Sequence, residues 1–192
     1  MDIAQLLREA RTCRRFDQSK PLSADDVRWL VDCARISPCA RNAQVLRYAA
    51  AATPATCDKI FPHTHWARAL KDWGGPVEGE RPTAYICLLT PAETTRLMHM
   101  DTGIAAMALQ LAASARGWGC CMHASFNPDG VRAVLNVPEG LQCNLLLAFG
   151  VAGESRTIAP MPADGDYNYW RDANNVHHVP KRSVEDVLVS LV

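Results

Sequence analysis

The amino-acid sequence predicts one α+β domain in which helices flank a sheet of four buried strands. The chain has 192 residues, 48% of them hydrophobic, which is enough for one full core. Four short apolar runs are typical of buried strands, and other segments place apolar residues at the spacing of helices. We therefore expect a single domain over residues 1–192, with residues 154–192 as a C-terminal arm.

Two helices are predicted before the first strand. The first covers residues 3–10, whose apolar positions share one face, and it ends where a cluster of arginines begins. The second begins at the capping-box sequence of residues 23–26 and ends at Ser37-Pro38. We expect a loop to follow Pro38.

Four strands are predicted, two before and two after a strongly apolar helix in the sequence. They cover residues 48–53, 83–89, 120–124 and 145–151. Between the second and third strands, residues 97–116 form a helix that is apolar on nearly every side, with Gly117 as its left-handed C-cap. Such a helix must be covered all round, which predicts a subunit interface.

The remaining elements are a short helix and the arm. The helix covers residues 128–135, with Asn127 as its N-cap. Residues 160–166 are predicted to be a linker, and residues 167–170 form an aromatic patch. The arm has too few apolar residues for a core of its own, so we expect it to pack across the main body or a partner.

Charge and composition narrow the classes of function. The formal net charge is zero and basic residues do not alternate with aromatic ones, which disfavours nucleic-acid binding. No stretch of 18 uncharged apolar residues is present, and the first residues lack the features of a signal peptide. We therefore expect a cytoplasmic protein with no membrane partner.

The cysteines and histidines do not follow metal-ligand spacing. Eight cysteines are present without a C-x-x-C pair, and several lie in apolar runs, which indicates reduced thiols. Cys120 and Cys121 are the unusual pair, because adjacent cysteines could close a strained disulfide. The histidine pairs His63/His65 and His177/His178 lack companion ligands, so no metal site is expected.

Two clusters of cations point to an anionic ligand. Arg11, Arg14 and Arg15 lie within five residues, and Lys181 and Arg182 lie near the other end of the chain. Guanidinium groups match a phosphate bidentately, and lysine adds a point charge. If the clusters converge, they would hold a phosphate monoester; the alternative is that both are solvated surface charges.

Three stretches of the chain together resemble the nitroreductase family of flavin enzymes. Residues 11–16, Arg-Thr-Cys-Arg-Arg-Phe, are similar to the family's N-terminal motif, and residues 38–44, Pro-Cys-Ala-Arg-Asn-Ala-Gln, to its proline-serine loop. Residues 117–124, followed by 135–140 and 145–150, resemble a third conserved part. The resemblance implies a nitroreductase-like fold with a mainly antiparallel sheet, FMN as cofactor, and a homodimer that exchanges C-terminal arms.

The resemblance also implies a set of cofactor-binding residues. The cationic clusters would hold the FMN phosphate, the loop would reach the flavin bound largely by the other subunit, and backbone N–H groups of residues 122–124 would lie near flavin N5. The implied residues are Arg11, Thr12, Arg14, Pro38, Cys39, Asn42, Gln44, Met122, His123, Ala124, Lys181 and Arg182. No catalytic residue is assigned, and His123 fits a core histidine with one hydrogen bond better than a proton donor.

The implied function is an FMN-dependent oxidoreductase that works by alternate half-reactions. NAD(P)H would be a transient donor, since no G-x-G-x-x-G motif is present, and the acceptor would be a nitroaromatic, a quinone or an unsaturated metabolite. The same motifs fit dehalogenation or flavin fragmentation. A non-enzymatic, FMN-binding redox sensor that uses Cys120 and Cys121 is a further alternative.

The chain departs from the family pattern at three places. Ala10 stands where many relatives have an arginine, so the phosphate would depend more on Lys181 and Arg182. Cys39 replaces the usual serine, and Val45-Leu46 replaces a proline-tryptophan pair. The last change removes an aromatic wall that many relatives have, so their substrate preferences do not transfer to this chain.

Overall fold

The computed structural model describes residues 2–67, 69–70 and 72–192. The helices are α1 (Ile3–Glu9), α2 (Ala24–Arg35), α3 (Pro54–Ile60), α4 (Arg96–Ala115), α5 (Pro128–Leu135) and α6 (Val184–Val187). The strands are β1 (Arg47–Ala51), β2 (Ala84–Pro91), β3 (Trp118–His123), β4 (Leu141–Val151), β5 (Arg156–Pro160), β6 (Trp170–Arg171) and β7 (His177–Lys181).

The main sheet has four strands in the order β1-β2-β4-β3, and every neighbouring pair is antiparallel. This confirms the predicted four-stranded antiparallel sheet. Strand β2 is buried along nearly its whole length because helices cover both faces of the sheet. Strand β3 lies at one edge, and therefore has one side free of β4.

Alternating side chains of the sheet enter two separate cores. On one face, Ile86 and Leu147 pack against α2 and α4; on the other, Tyr85 and Leu146 pack against α3 and α5. This is the period-two alternation of a strand that is covered on both faces. Cys120 enters the first core and Cys121 the second, so the two free thiols lie on opposite faces of β3.

Local capping signals account for where several helices begin and end. Ser23 and Asp26 form the predicted capping box of α2, and the Asn127 side chain accepts a hydrogen bond from the Gly130 N–H at the start of α5. Gly117 has φ of 73°, as a left-handed residue after α4 requires. Helix α3 was not among the predicted elements; the Thr53 side chain caps it.

Helix α4 is only partly covered by its own chain. Ala105, Leu109 and Ala113 are buried against the first core. Met100 and Ile104, by contrast, are 55% and 42% exposed. Together with Leu97, Met107 and Leu111 they follow the three- and four-residue spacing of one helix face, which we call the α4 stripe.

The C-terminal arm contains a second sheet, which the sequence did not predict. Its strand order is β5-β7-β6, with β7 parallel to β5 and antiparallel to β6. Residues 160–166, predicted to be a linker, begin with the last residue of β5. The arm lies beside residues 11–16, where Glu154 Oε1 accepts a hydrogen bond from the Arg14 N–H at 2.5 Å.

Two structural findings concern membranes and metals. No helix in the described ranges combines the length and the apolar character that crossing a bilayer requires. Among those same residues, no group of three or more His, Cys, Asp or Glu side chains is arranged to hold a metal ion.

Candidate functional site

The N-terminal cationic segment, residues 11–16, is hydrogen-bonded to the edge of β3 that faces away from β4. The Cys13 N–H donates to the Cys120 carbonyl at 2.8 Å, and Thr12 forms a parallel bridge with Cys120. A side chain at position 119 would not fit, because a Cβ on Gly119 would lie 2.4 Å from the Cys13 Sγ. Close approach to a glycine therefore sets the position of the residues on either side of Cys13.

The two cationic clusters meet at one cavity of about 220 Å³. Its lining residues come from the N-terminal segment, α4 and the arm: Ala10, Arg11, Thr12, Arg14, Met107, Gln110, Tyr169, His177, Val179 and Lys181. We call this the cationic cavity. Its lining includes Lys181 but not Arg182, which is exposed just after β7. None of the lining residues is acidic, so the cavity favours an anion.

Arg11 lies where its own charge is not neutralised. Its Nη2 donates to the Leu7 carbonyl at 2.5 Å, and its Nε is buried without a hydrogen-bond partner. Burial lowers the pKa of Arg11, and repulsion from Arg156 lowers it further. Arg156 is thus a nearby cation that the sequence interpretation missed. An anion in the cationic cavity would relieve this repulsion.

Arg14 is held by residues of the arm. Its Nη1 lies 3.1 Å from His177 Nε2, its guanidinium carbon lies 4.2 Å from the centre of the Tyr169 ring, and its backbone N–H donates to Glu154 Oε1 at 2.5 Å. Glu154 also pairs with Arg171 at 2.9 Å. Tyr169 and His177 were not predicted as site residues. Their only sequence signal was that aromatic residues and histidines lie close together in the arm.

His177 is neutral, and its tautomer follows from its partner. An arginine can only donate, so Nε2 of His177 accepts from Arg14 and the proton lies on Nδ1. His177 is fully buried. Burial lowers its pKa to about 4, with a further contribution from the nearby Arg14 charge.

Past Cys120, no strand among the described residues pairs with the outer edge of β3. Since the Cys120 carbonyl points outward to Cys13, the alternation of a strand places the N–H of Met122 on the same outer side. Arg14, which stands beside Met122 in this register, donates its own backbone N–H to Glu154 Oε1. The Met122 side chain packs against the first core, and Ala124 is exposed.

The structure places His123 in the interior as a neutral histidine. Its Nδ1 donates to the His65 carbonyl at 3.2 Å, and its ring meets the Trp66 ring edge-on at 4.4 Å. Burial lowers its pKa to about 4. The side chain is therefore suited to packing rather than to proton donation near pH 7.

The loop of residues 38–44 has an unusual backbone. Arg41, Asn42 and Gln44 all have positive φ, at 55°, 52° and 49°. Each such residue costs about 1–3 kcal/mol when it is not glycine, and clustered strain of this kind is typical of functional loops. The Ala40 N–H donates to Asp101 Oδ1 at 2.9 Å, which ties the loop to α4. Asn42 and Gln44 are exposed.

A second cavity, of about 280 Å³, lies beside this loop. Its lining includes Pro38, Cys39 and Gln44, with Asp101 and Ala105 from α4. It shares no lining residue with the cationic cavity. One chain therefore does not bring the two predicted halves of the site together, although both cavities adjoin α4.

The buried thiols beside β3 are poor nucleophiles. Burial raises the pKa of Cys13 to about 11 and that of Cys121 to about 12, and it raises the pKa of Cys120 as well. The thiolate is the reactive form, so these groups are largely unreactive near neutral pH. Together with their positions on opposite faces of β3, this disfavours a redox sensor built on Cys120 and Cys121.

Solved structures share this fold at low sequence identity. An FMN-dependent nitroreductase from Clostridium difficile has a TM-score of 0.65 at 16% identity, over 90% of this chain and 99% of that one. A nitroreductase family protein from Streptococcus pneumoniae has a TM-score of 0.66 at 16% identity, over 85% and 97%. The FMN-dependent nitroreductase NfnB from Mycobacterium smegmatis, solved with NADPH, has a TM-score of 0.62 at 20% identity, over 79% and 90%.

The family assignment comes from a match to the sequence and not from the shared fold alone. A comparison with curated proteins found no match. The model of the Nitroreductase family, however, matches residues 7–151, which include the N-terminal cationic segment, the loop of residues 38–44 and all four strands of the main sheet. The chain therefore belongs to the nitroreductase family.

Proposed function

We propose that this protein is an FMN-dependent oxidoreductase that passes a hydride from NAD(P)H to a small acceptor. The observation that carries the proposal is the cationic cavity, where Arg11, Arg14 and Lys181 converge from opposite ends of the chain without an acidic neighbour in the lining. Family membership and the FMN-dependent neighbours of the same fold support flavin as the ligand.

The residues of the cavity and the strand edge beside it fit FMN. Arg11, Arg14 and Lys181 would bind the phosphate, and Thr12 adds a hydroxyl in the same lining. The outward N–H of Met122 would donate to the flat ring along the free edge of β3. When bound, FMN would supply the hydride transfer at N5, and the protein would supply binding and orientation.

The donor and acceptor would use the same face of the cofactor in alternate half-reactions. NAD(P)H is proposed as the donor, in keeping with a neighbour that was solved with NADPH. The acceptor is proposed to be a nitroaromatic, a quinone or an unsaturated metabolite. His123 and His177 are both buried and neutral, so neither is assigned as a proton donor.

The complete site is proposed to form in a homodimer. The α4 stripe leaves an apolar surface open, and both cavities adjoin α4. A second copy packed on the stripe would bring its loop of residues 38–44 toward the cationic cavity. The last residues of the arm would add to this interface, since Val189 and Leu191 are almost fully exposed in one chain.

The test combines an absorption spectrum with turnover. Purified protein is expected to show the flavin spectrum, to release FMN on denaturation, and to oxidise NADH or NADPH when a quinone or a nitroaromatic is added. Activity should persist in a variant with Cys120→Ser and Cys121→Ser. A protein that binds FMN but never accepts hydride from either nicotinamide would contradict the proposal.

A further inference from the structure

Each of the three contacts that hold Arg14 comes from the arm. His177 accepts from the guanidinium, Tyr169 lies against its face, and Glu154 accepts from the backbone N–H. Tyr169 also packs beside His177, with ring centres 5.0 Å apart. The orientation of an N-terminal arginine is thus set by residues about 140 to 163 positions away in sequence.

The same strand carries His177 and Lys181. Residues 177, 179 and 181 of β7 all line the cationic cavity, as alternation along a strand requires. When β7 docks, it therefore delivers Lys181 and the acceptor for Arg14 together.

The chemistry of these partners preserves the charge of Arg14. Glu154, which could have neutralised the guanidinium, instead pairs with Arg171 at 2.9 Å and accepts the Arg14 backbone N–H. The guanidinium itself contacts a neutral imidazole and an aromatic ring. One N–H of five is used by His177, so the other donors and the full positive charge remain for an anion.

We propose that His177 and Tyr169 are positioning residues, which orient Arg14 toward the phosphate and make the arm a structural part of the FMN site. This inference rests on the proposed function. It predicts that binding of the FMN phosphate and docking of the arm are linked, so that each strengthens the other by the same factor.

The first test measures flavin affinity with and without the phosphate. Flavin-free protein is titrated with FMN and with riboflavin, followed by flavin fluorescence. His177→Ala is expected to weaken FMN binding about tenfold, as the loss of one hydrogen bond to a charged group suggests, and to leave riboflavin binding unchanged. His177→Gln keeps an acceptor oxygen and should restore FMN binding. His178→Ala is the matched control, because His178 pairs with Asp172 and is absent from the cavity lining.

A second pair of variants keeps the test informative if His177→Ala fails to fold. Tyr169→Leu removes the aromatic face under Arg14, while Tyr169→Phe keeps it. Only Tyr169→Leu should lose preference for FMN over riboflavin. In the unmodified protein, FMN should also slow protease cleavage of the arm more than riboflavin does.

The outcomes separate this inference from the proposed function. If the unmodified protein binds FMN and riboflavin equally well, the phosphate site itself is wrong. If it prefers FMN but His177→Ala and Tyr169→Leu keep that preference, the positioning role is wrong and the proposed function stands. Equal loss of FMN and riboflavin affinity, or failure of both conservative variants to restore FMN binding, would show a packing role only.

Discussion

At the scale of single residues, the cations of the cationic cavity retain their charge because their partners are neutral. Arg11 donates to a backbone carbonyl and Arg14 to an imidazole. In the part of the chain that the structure describes, no carboxylate forms an ion pair with Arg11, Arg14 or Lys181. The family resemblance implied that these clusters would meet, but the contacts of His177 and Tyr169 with Arg14 could not be predicted, since they depend on how the arm docks.

Removing one cation from the cavity should weaken FMN specifically. Arg14→Ala and Lys181→Ala are each expected to lower FMN affinity about 10- to 100-fold, because hydrogen bonds to charged groups contribute roughly 1.5–3 kcal/mol. Fluorescence titration measures this, with riboflavin as the ligand that lacks the phosphate. Arg28→Ala is the control, since Arg28 is exposed on α2, pairs with Asp25 and is absent from the cavity lining. An unchanged FMN affinity in both cavity variants would remove these residues from the phosphate site.

Buried neutral histidines should make the fold sensitive to acid. The pKa of His123 and that of His177 are lowered to about 4 in the folded protein, from the ordinary 6.5. The unfolded chain therefore binds more protons below about pH 6.5, and stability falls as the pH drops toward about 4. For His123 the loss is about 2 kcal/mol between about pH 7 and about pH 5.

Urea unfolding at fixed protein concentration tests this pH dependence. The midpoint should be clearly lower at about pH 5 than at about pH 7. His123→Gln should show a smaller drop, since an amide does not titrate but can still donate to the His65 carbonyl. Equal drops in the variant and the unmodified protein would assign the acid sensitivity to other groups.

At the scale of secondary structure, the helix caps could be predicted from the sequence, but the long-range strand pairing of the arm could not. The capping box of α2, the N-cap of α5 and the glycine after α4 were each predicted from a few adjacent residues. The arm's sheet was missed because β5 and β7 are short and pair only after the chain has returned over some twenty residues. Such pairing leaves little trace in hydrophobic periodicity.

The α4 stripe gives a prediction about assembly. Ile104→Glu places a charge in the middle of the stripe and should produce a monomer, because burying an unpaired charge is costly. Flavin occupancy should fall with it, since the partner's loop would no longer reach the cavity. Light scattering at micromolar concentration measures the change, and Val77→Glu, at a residue 64% exposed outside α4, is the control. A flavin-loaded monomer would contradict the dimeric site.

The arm gives a second prediction at this scale. Deleting residues 165–192 removes Tyr169, His177 and Lys181 but leaves both cores of the main sheet intact. The shortened protein is expected to fold, as judged by circular dichroism, and to lose FMN and most of its activity. If it kept full flavin occupancy, the arm would be a packing element, and the role given to Lys181 would be wrong.

At the scale of the whole molecule, charge is balanced overall and unbalanced at one edge of the sheet. The net charge is zero, yet the cations from both chain ends lie together beside the free edge of β3. The sequence predicted the fold class and the four strands because the core pattern is local and repeated. It could not show that one chain holds the two halves of the site in separate cavities, which depends on the packing around α4.

The affinity of the unmodified protein for FMN relative to riboflavin tests the phosphate site most directly. The two ligands share the flavin ring and the ribityl chain and differ only in the phosphate. Titration of flavin-free protein should give FMN binding at least about tenfold tighter than riboflavin binding, because several cations contribute charge-assisted hydrogen bonds. Equal affinities would mean that the convergence of Arg11, Arg14 and Lys181 does not serve a phosphate.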